Sequence, residues 1–259
     1  MNAQYNTCPK CHHTRQPHET AEPERCPACG LYFAKGEARS RFVPPSLAHH
    51  EPLHDDESDG GWRAALRARL QHVPEHMDGT RLYACAAMLA LIAFWSWRLY
   101  RMDYRDGEIF SSFMHNILLP IHEAGHVIFM PCGEFMTILG GSLFQLLLPL
   151  ICAGTLLWSN RDTFGAGLGV WWAGVSMLDL APYIYDAKVP QLTLLGGHTG
   201  EDGPHDWIYL LGTFGKVQQA QGYGAFAHVL GLLIMLAGLI WSAATLRRWQ
   251  RHFRQNATG

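Results

Sequence analysis

Five long apolar runs occupy most of the sequence after residue 81, and they constrain the fold more than any other feature. The runs cover about residues 82–100, 109–131, 135–158, 164–186 and 225–246. A helix needs about 20 residues to cross the hydrocarbon core of a bilayer, and aromatic residues stand near the ends of several runs, as at membrane interfaces. The runs therefore predict an all-α polytopic membrane protein with about four to six transmembrane helices.

The N-terminal third has a different composition, because residues 1–81 are polar and carry half of the Lys and Arg. Trp62, Leu66 and Leu70 fall on one face of a predicted helix, which lies either at the membrane interface or on the domain as a solvated helix. We therefore divide the chain into a cysteine module (1–36), a linker (37–61), an amphipathic juxtamembrane helix (62–80), a transmembrane domain (81–250) and a polar tail (251–259).

The formal net charge of −2 is too small to attract nucleic acid to the whole molecule, so no nucleic-acid partner is expected. The first residues, "MNAQYNTCPKCHHTR", contain no apolar stretch of the kind found in a cleavable signal peptide. We therefore expect membrane insertion to depend on the internal apolar runs.

Basic residues on both flanks of the apolar part bear on its orientation. Arg63, Arg67, Arg69 and Arg81 precede the first run, "RRWQRHFR" follows the last, and the positive-inside rule favours the cytoplasm for both flanks. Five spans cannot put both flanks on one side. Either one run is re-entrant, or residues 205–217 dip into the membrane, or the rule fails at one flank. We expect a multi-pass integral membrane protein, in the inner membrane if its source is bacterial, with a cytoplasmic cysteine module.

Four cysteines near the start form two close pairs, Cys8 with Cys11 and Cys26 with Cys29. Two Cys-x-x-Cys motifs separated by 14 residues are typical of zinc ribbons, in which four thiolates close a tetrahedral structural site. A redox dithiol accounts less well for two paired motifs. We therefore predict a small N-terminal zinc ribbon with one structural Zn²⁺. Its mixed charges favour a protein partner or a substrate tail over nucleic acid.

The second run contains "LLPIHEAGHVIFM", Leu118 to Met130, with two histidines four residues apart. On a helix His122 and His126 project from one face and can share a metal ion, with Glu123 beside them. Zinc held by two imidazoles and a third ligand activates water, and a glutamate takes its proton. Since ionisable groups within a span are usually functional, we predict a catalytic Zn²⁺ with Glu123 as general base and acid. Hydrogen bonding of the histidines to neighbouring helices is the structural alternative.

The third ligand has to come from another element, and the membrane half has few acids. Asp179 and Asp186 bracket "DLAPYIYD" at the end of the fourth run, and Asp206 lies in the following polar loop. All three are candidates, Asp206 either as a ligand or as a partner of a ligand histidine's other nitrogen. His115, seven residues before His122, is predicted either to line the site or to bond a neighbouring helix.

Three motifs in this half, "HEAGH", "GGSLFQLLLP" and "DLAPYIYDA", resemble those of the site-2 protease family of intramembrane zinc metalloproteases. The resemblance covers roughly residues 109–190. It implies that residues 81–250 form a metalloprotease-like domain. It further implies that His122 and His126 bind zinc and that Glu123 is the catalytic acid and base.

The same resemblance assigns roles to residues of the fourth run. It implies Asp186 as the third zinc ligand, with Asp179 and Pro182 at the positions of the family's Asn and Pro. Gly141 and Gln145 correspond to its small-residue element. Gln145 stands where Asn is usual, and Ala187 stands where Gly is usual, so the match is incomplete.

These features together predict an intramembrane zinc metalloendopeptidase that hydrolyses peptide bonds of membrane protein substrates. Its expected partners are a membrane protein substrate, the lipid bilayer and a protein that binds the ribbon. The alternative is a non-catalytic zinc-binding membrane protein, namely a sensor, a transporter or an adaptor whose ribbon docks a partner. A carboxylate near the histidines with an open fourth position favours hydrolysis, whereas a closed four-ligand site favours a structural role.

Overall fold

The computed structural model describes residues 7, 8, 10–14, 25–29, 31, 32, 61–74 and 78–257. The chain forms two compact units, residues 1–58 and 59–259. The described residues are mostly helical, and apart from two isolated bridges in the first unit they include no β-structure. This agrees with the predicted all-α class. The predicted linker lies outside the described residues except for Gly61.

Seven α-helices make up most of the described part of the second unit. They are α1 (Gly61–Leu70), α2 (Gly79–Arg101), α3 (Phe113–Phe129), α4 (Glu134–Trp158), α5 (Thr163–Asp186), α6 (Asp206–Thr213) and α7 (Ala220–Ala257). Short 3-10 turns precede three of them, at Glu108–Ser111, Met130–Cys132 and Val217–Gln219.

Four helices, α2, α4, α5 and α7, are long and apolar enough to cross a membrane. They correspond to four of the five predicted runs. The remaining run, 109–131, forms α3, whose 17 residues extend about 26 Å at about 1.5 Å per residue. This is less than the hydrocarbon thickness of about 30 Å.

The two flanking segments differ from their predicted bounds. The helix predicted over 62–80 ends at Leu70, since Pro74 disfavours helical backbone at the residue before it. Asp78 then caps α2 with its side chain. The predicted polar tail 251–259 continues α7 through its last described turn, where arginine side chains interact favourably with the helix dipole.

Glycines allow α5 and α7 to pack backbone against backbone in antiparallel orientation. Gly224, Gly231 and Gly238 recur every seven residues and so share one face of α7. A Cβ on Gly238 would lie 2.3 Å from the amide nitrogen of Trp171, and one on Gly231 would lie 2.9 Å from that of Leu178. The apolar window of α5 is 78% buried, against at most 33% in the other three long helices. α5 is therefore the central helix.

One end of the helical unit, which we call the Trp249 end, is marked by a buried cluster. Its members lie at the start of α2, at the start of α5 and in the C-terminal half of α7: Leu82, Phe164, Leu246 and Trp249. α4 finishes at the same end, because only residues 159–162 separate its last residue, Trp158, from α5. The guanidinium of Arg69, from α1, lies over the Trp158 ring at 4.5 Å from the centroid.

The opposite end, which we call the Leu211 end, is marked by Ala187, Leu211 and Ala220. These three residues pack together, and they belong in turn to the position after α5, to α6 and to the start of α7. Phe135 in the first turn of α4 packs edge-on against Phe214, with ring centroids 5.9 Å apart. Thus α5 ends here, and α4 and α7 begin here.

The segment that contains α3 leaves and rejoins the Leu211 end. Tyr104, three residues after α2, packs edge-on against Tyr185 in the last turn of α5, with ring centroids 5.7 Å apart. α2 therefore ends where α4 begins, and residues 102–133 leave this end and return to it instead of continuing to the Trp249 end. α1 and the end of α7 therefore lie at the same end of the unit, an arrangement that a re-entrant second run would also produce.

Candidate metal sites

The HEAGH segment lies where α3 approaches α4 most closely. A Cβ on Gly125 would lie 2.2 Å from the carbonyl oxygen of Gly140, so a larger residue would push the two helices apart. The four-residue spacing puts His122 and His126 on the same side of α3. His122 is buried, and Glu123 is half-buried.

The two motif histidines meet a carboxylate from a third element. Asp206 opens α6, and its Oδ2 lies 3.0 Å from His122 Nε2 and 3.3 Å from His126 Nε2. One ligand atom from each residue lies within 4.8 Å of the other two, a grouping that can hold a metal ion. Ligand atoms about 2.1 Å from a tetrahedral zinc are about 3.4 Å apart. The spacing of the three residues is therefore compatible with a shared metal ion of this size.

The structure brings Asp206 to the histidines, and it places Asp186, expected as the third ligand, elsewhere. One Asp186 oxygen accepts two backbone hydrogen bonds from the following loop, at 2.8 and 3.1 Å. The other faces His205 Nε2 at 3.4 Å. Because Asp186 is the last residue of α5, its carboxylate holds the loop 187–205 against the helix end instead of reaching α3. That loop in turn positions Asp206.

The surroundings of Asp206 fix its position and its charge. Its backbone N–H donates to the Tyr183 hydroxyl at 3.0 Å, and His205 Nδ1 caps α6 by accepting from the N–H of Ile208 at 3.3 Å. Burial raises the pKa of Asp206, but hydrogen bonds from the two motif histidines outweigh burial and lower that pKa to about 2. Asp206 is therefore ionised at neutral pH, as a metal ligand has to be.

Each motif histidine is hydrogen-bonded through its Nδ1. His126 Nδ1 lies 2.9 Å from the carbonyl oxygen of Thr137, and His122 Nδ1 lies 2.9 Å from Gln145 Oε1. Because these oxygens only accept, each Nδ1 carries a proton, so an imidazole that gives up its Nε2 proton presents a lone pair toward Asp206. Metal-binding imidazoles require this arrangement.

The amide of Gln145 is oriented by Asp179. Gln145 Nε2 donates to Asp179 Oδ2 at 3.0 Å, and the other Asp179 oxygen lies 2.9 Å from His115 Nδ1. An ionised carboxylate can only accept, so Gln145 presents its nitrogen to Asp179 and its oxygen to His122. Asp179 therefore contacts the metal group only through Gln145. His115 bonds a neighbouring helix through Asp179, and it also lines the cavity described next.

A cavity of about 370 Å³ adjoins the three-residue group. Glu123 and Tyr183 line it from the helices, and Leu194, Leu195 and His198 line it from the loop 187–205. This volume lies within the range of small-molecule sites, about 300–1,000 Å³. Glu123 therefore lines the same cavity as the metal group.

Gly141 keeps the space between the histidines open. A Cβ at this position would lie 2.6 Å from Nε2 of both His122 and His126, in the space that a shared metal ion needs. The resemblance paired Gly141 with Gln145, and the structure places both beside the histidines. The glycine leaves room, and the glutamine binds an Nδ1.

In the first unit, the four ribbon cysteines come together as the spacing predicts. The Sγ atoms of Cys8 and Cys29 lie 3.7 Å apart, as do those of Cys11 and Cys26. All four lie within 4.8 Å of one another. Thiolates around a tetrahedral zinc with bonds of about 2.3 Å are about 3.8 Å apart. In each motif the first cysteine's N–H donates to the carbonyl five residues later, at 2.9 and 2.8 Å, so the cluster can hold a metal ion.

No protein-family model, curated protein or solved structure matches the chain. The interpretation of the site therefore depends on its own geometry. Two supporting groups escaped the sequence reasoning, the Thr137 carbonyl and the Tyr183 hydroxyl. Thr137 contributes a backbone atom, which no side-chain motif marks. Tyr183 lies near the end of the fourth run, where aromatic residues are expected at a membrane interface.

Proposed function

We propose that the helical unit is a zinc metalloendopeptidase that hydrolyses peptide bonds of membrane proteins, in line with the resemblance to site-2 proteases. The observation that carries this proposal is the convergence of His122 and His126 from α3 and Asp206 from α6 on one point beside Glu123. Three protein ligands with a cavity on the remaining side are typical of catalytic zinc, whereas structural zinc is enclosed by four.

The donor set fits Zn²⁺ in number and in chemistry. Two imidazole nitrogens and one carboxylate form a common catalytic zinc set, and Gly141 leaves the space between them unfilled. Bound zinc would supply Lewis acidity to a scissile carbonyl and to water. The Thr137 carbonyl and the Gln145 amide would hold the two imidazoles in the ligating tautomer.

Glu123 is the proton carrier in this proposal. It accepts a proton from water as the water oxygen bonds to the scissile carbonyl carbon, and it delivers that proton to the amide nitrogen as the C–N bond breaks. The products are a carboxylic acid and an amine. A helical substrate hides its carbonyls in hydrogen bonds, so the cleaved stretch has to unwind. Leu194 and Leu195 offer apolar walls for its side chains.

The cysteine cluster has a different role in the proposal. Four thiolates close a tetrahedral site, which leaves zinc no open position for chemistry. Metal binding then holds together a module too small to bury a sufficient core. We assign it a structural Zn²⁺ and the binding of a protein partner.

Replacement of Glu123 by Gln tests the proposal with little change of shape, since the amide cannot take up a proton. Wild-type chain and E123Q would be reconstituted in vesicles with a set of single-span membrane peptides, and cleavage would be followed by mass spectrometry. We expect cleavage by the wild type that 1,10-phenanthroline abolishes, and a loss of about 100-fold or more in E123Q. The zinc content should be equal in both proteins.

Equal cleavage by the two proteins would show that Glu123 is not the base. If the wild type retained zinc in the membrane half and cut none of the peptides, the alternative role as a non-catalytic sensor, transporter or adaptor would replace this one.

A further inference from the structure

The two ends of the helical unit differ in charge. Among the described residues, the loops and helix termini at the Trp249 end carry nine arginines: Arg63, Arg67, Arg69, Arg81, Arg161, Arg247, Arg248, Arg251 and Arg254. The two acids that the structure describes at this end, Asp78 and Asp162, are engaged as helix caps. At the Leu211 end eight acids outnumber five basic residues. The acids are Asp103, Asp106, Glu108, Glu134, Asp186, Glu201, Asp202 and Asp206, and the basic residues are Arg98, Arg101, Arg105, Lys188 and Lys216.

Contacts hold α1 and the segment after it at the Trp249 end. Thr163 Oγ1 at the start of α5 donates to the carbonyl of Arg69 at 2.9 Å, and Trp249 Nε1 donates to that of His72 at 3.2 Å. The Arg81 guanidinium lies over the Trp249 ring at 5.5 Å from the centroid. The arginines of α1, of the first turn of α2 and of the end of α7 therefore form one surface.

The exposed side of α1 has the composition of an interfacial helix. None of its residues is buried, Trp62 is 55% exposed, and Arg63 and Arg67 are exposed. Arginine with tryptophan on a helix across the ends of membrane-length helices suits the boundary between headgroups and acyl chains. Such side chains place guanidinium groups among phosphates while their stems cover apolar surface.

We propose that the Trp249 end is a surface for anionic phospholipid headgroups of the cytoplasmic leaflet, along which α1 lies. Its charge is complementary to that leaflet, where nearby arginines gain electrostatic free energy. The positive-inside rule gives the same orientation, and the two basic flanks that bear on it now lie at one end.

This orientation has a consequence for substrates, which rests on the proposed function. The loop 187–205 lines the cavity beside the metal group and follows α5 at the Leu211 end. With the Trp249 end in the cytoplasm, a substrate bond is approached from the opposite, non-cytoplasmic half of the bilayer. The cleaved bonds would then lie toward that side of membrane protein substrates.

The lipid surface is tested with two matched pairs of exposed arginines. Full-length wild type, R63Q/R67Q and R98Q/R101Q would be titrated in detergent with phosphatidylglycerol and with phosphatidylcholine, and retained lipids counted by native mass spectrometry. We expect R63Q/R67Q to lose phosphatidylglycerol affinity by about tenfold or more, and R98Q/R101Q to retain it. Unchanged binding in R63Q/R67Q, or equal losses in both variants, would overturn the proposal.

The orientation is tested independently of any cleavage. E201C in the loop 187–205 and N256C near the end of α7 would be produced in bacterial cells and treated with a membrane-impermeant maleimide, with the labelled residue identified by peptide mass. We expect label at position 201 in intact cells and at position 256 only after lysis. The reverse pattern would overturn the orientation even if the protein cleaves peptides.

Discussion

At the scale of single residues, one carboxylate orients two side chains beside the candidate site. Asp179 can only accept, so the Gln145 nitrogen and the His115 Nδ1 turn toward it. The Gln145 oxygen then accepts from His122 Nδ1, so the lone pair of a neutral His122 lies on Nε2. A change at Asp179 should therefore alter metal binding although the residue does not reach the metal.

Exchanging the carboxylate of Asp179 and the amide of Gln145 tests the hydrogen bonds that link Asp179 to His122. D179N and Q145E should each weaken zinc binding about 10–100-fold, as changes in hydrogen-bond partners of ligands commonly do. In D179N/Q145E the new amide can donate to the new carboxylate, which again accepts from His122, so most of the affinity should return. The zinc affinity is measured by competition with a chelating indicator. The chains also carry C8S/C11S/C26S/C29S, so that the cysteine cluster does not contribute. A double variant that binds zinc no more tightly than the single variants would refute the proposed directions of these hydrogen bonds.

Gly141 offers a second test at the residue scale. In G141A the new methyl group would lie 2.6 Å from both Nε2 atoms, so zinc affinity of the membrane half should fall by about tenfold or more. G154A is the matched control on the same helix, because a Cβ there meets nothing within 4 Å. Equal zinc affinities in the two variants would contradict a metal position between the histidines.

Much of this candidate site was predictable from the sequence, whereas the choice of Asp206 among the three candidate acids was not. The spacing of His122 and His126 fixes their shared face as soon as the segment is helical. Asp206 reaches them only through the path of the loop 187–205, which is held by Asp186 and His205. A local sequence pattern does not predict the path of a loop that tertiary contacts hold, so the sequence favoured Asp186 first.

At the scale of helices, the seam between α5 and α7 is the structural centre of the unit. G238A should destabilise it by about 1–3 kcal/mol, the usual effect of an added methylene in a filled interface, since the new Cβ would lie 2.3 Å from the Trp171 backbone. G222A is the control on the same helix, with no atom within 4 Å of its Cβ. Thermal unfolding in detergent measures both, and equal stabilities would argue against close packing of these helices.

The helices themselves were largely predictable, because length and hydropathy reveal membrane-length segments directly. The path of α3 was not, since an apolar run of similar composition can cross or turn back. The decision depends on where its neighbours end. Tyr104 meets Tyr185 after α2, and Phe135 meets Phe214 at the start of α4. These are tertiary contacts between residues distant in sequence.

At the scale of the whole molecule, the described residues include two groups of different kinds that can hold a metal ion. The cysteine cluster lies in a small unit of its own, and the second group lies inside a unit of membrane-length helices. We propose a structural zinc for the first and a catalytic zinc for the second. The wild-type chain should then contain two zinc ions, and removal of the ribbon thiolates should leave one.

The central claim is a zinc ion held by His122, His126 and Asp206 with an open position beside Glu123. Zinc analysis and zinc-edge X-ray absorption of the full-length C8S/C11S/C26S/C29S chain test it most directly. We predict one zinc ion per chain with nitrogen and oxygen neighbours at about 2.0–2.2 Å, and its loss in the same chain carrying D206A. A chain without zinc, or one that keeps its zinc unchanged in D206A, would contradict the account.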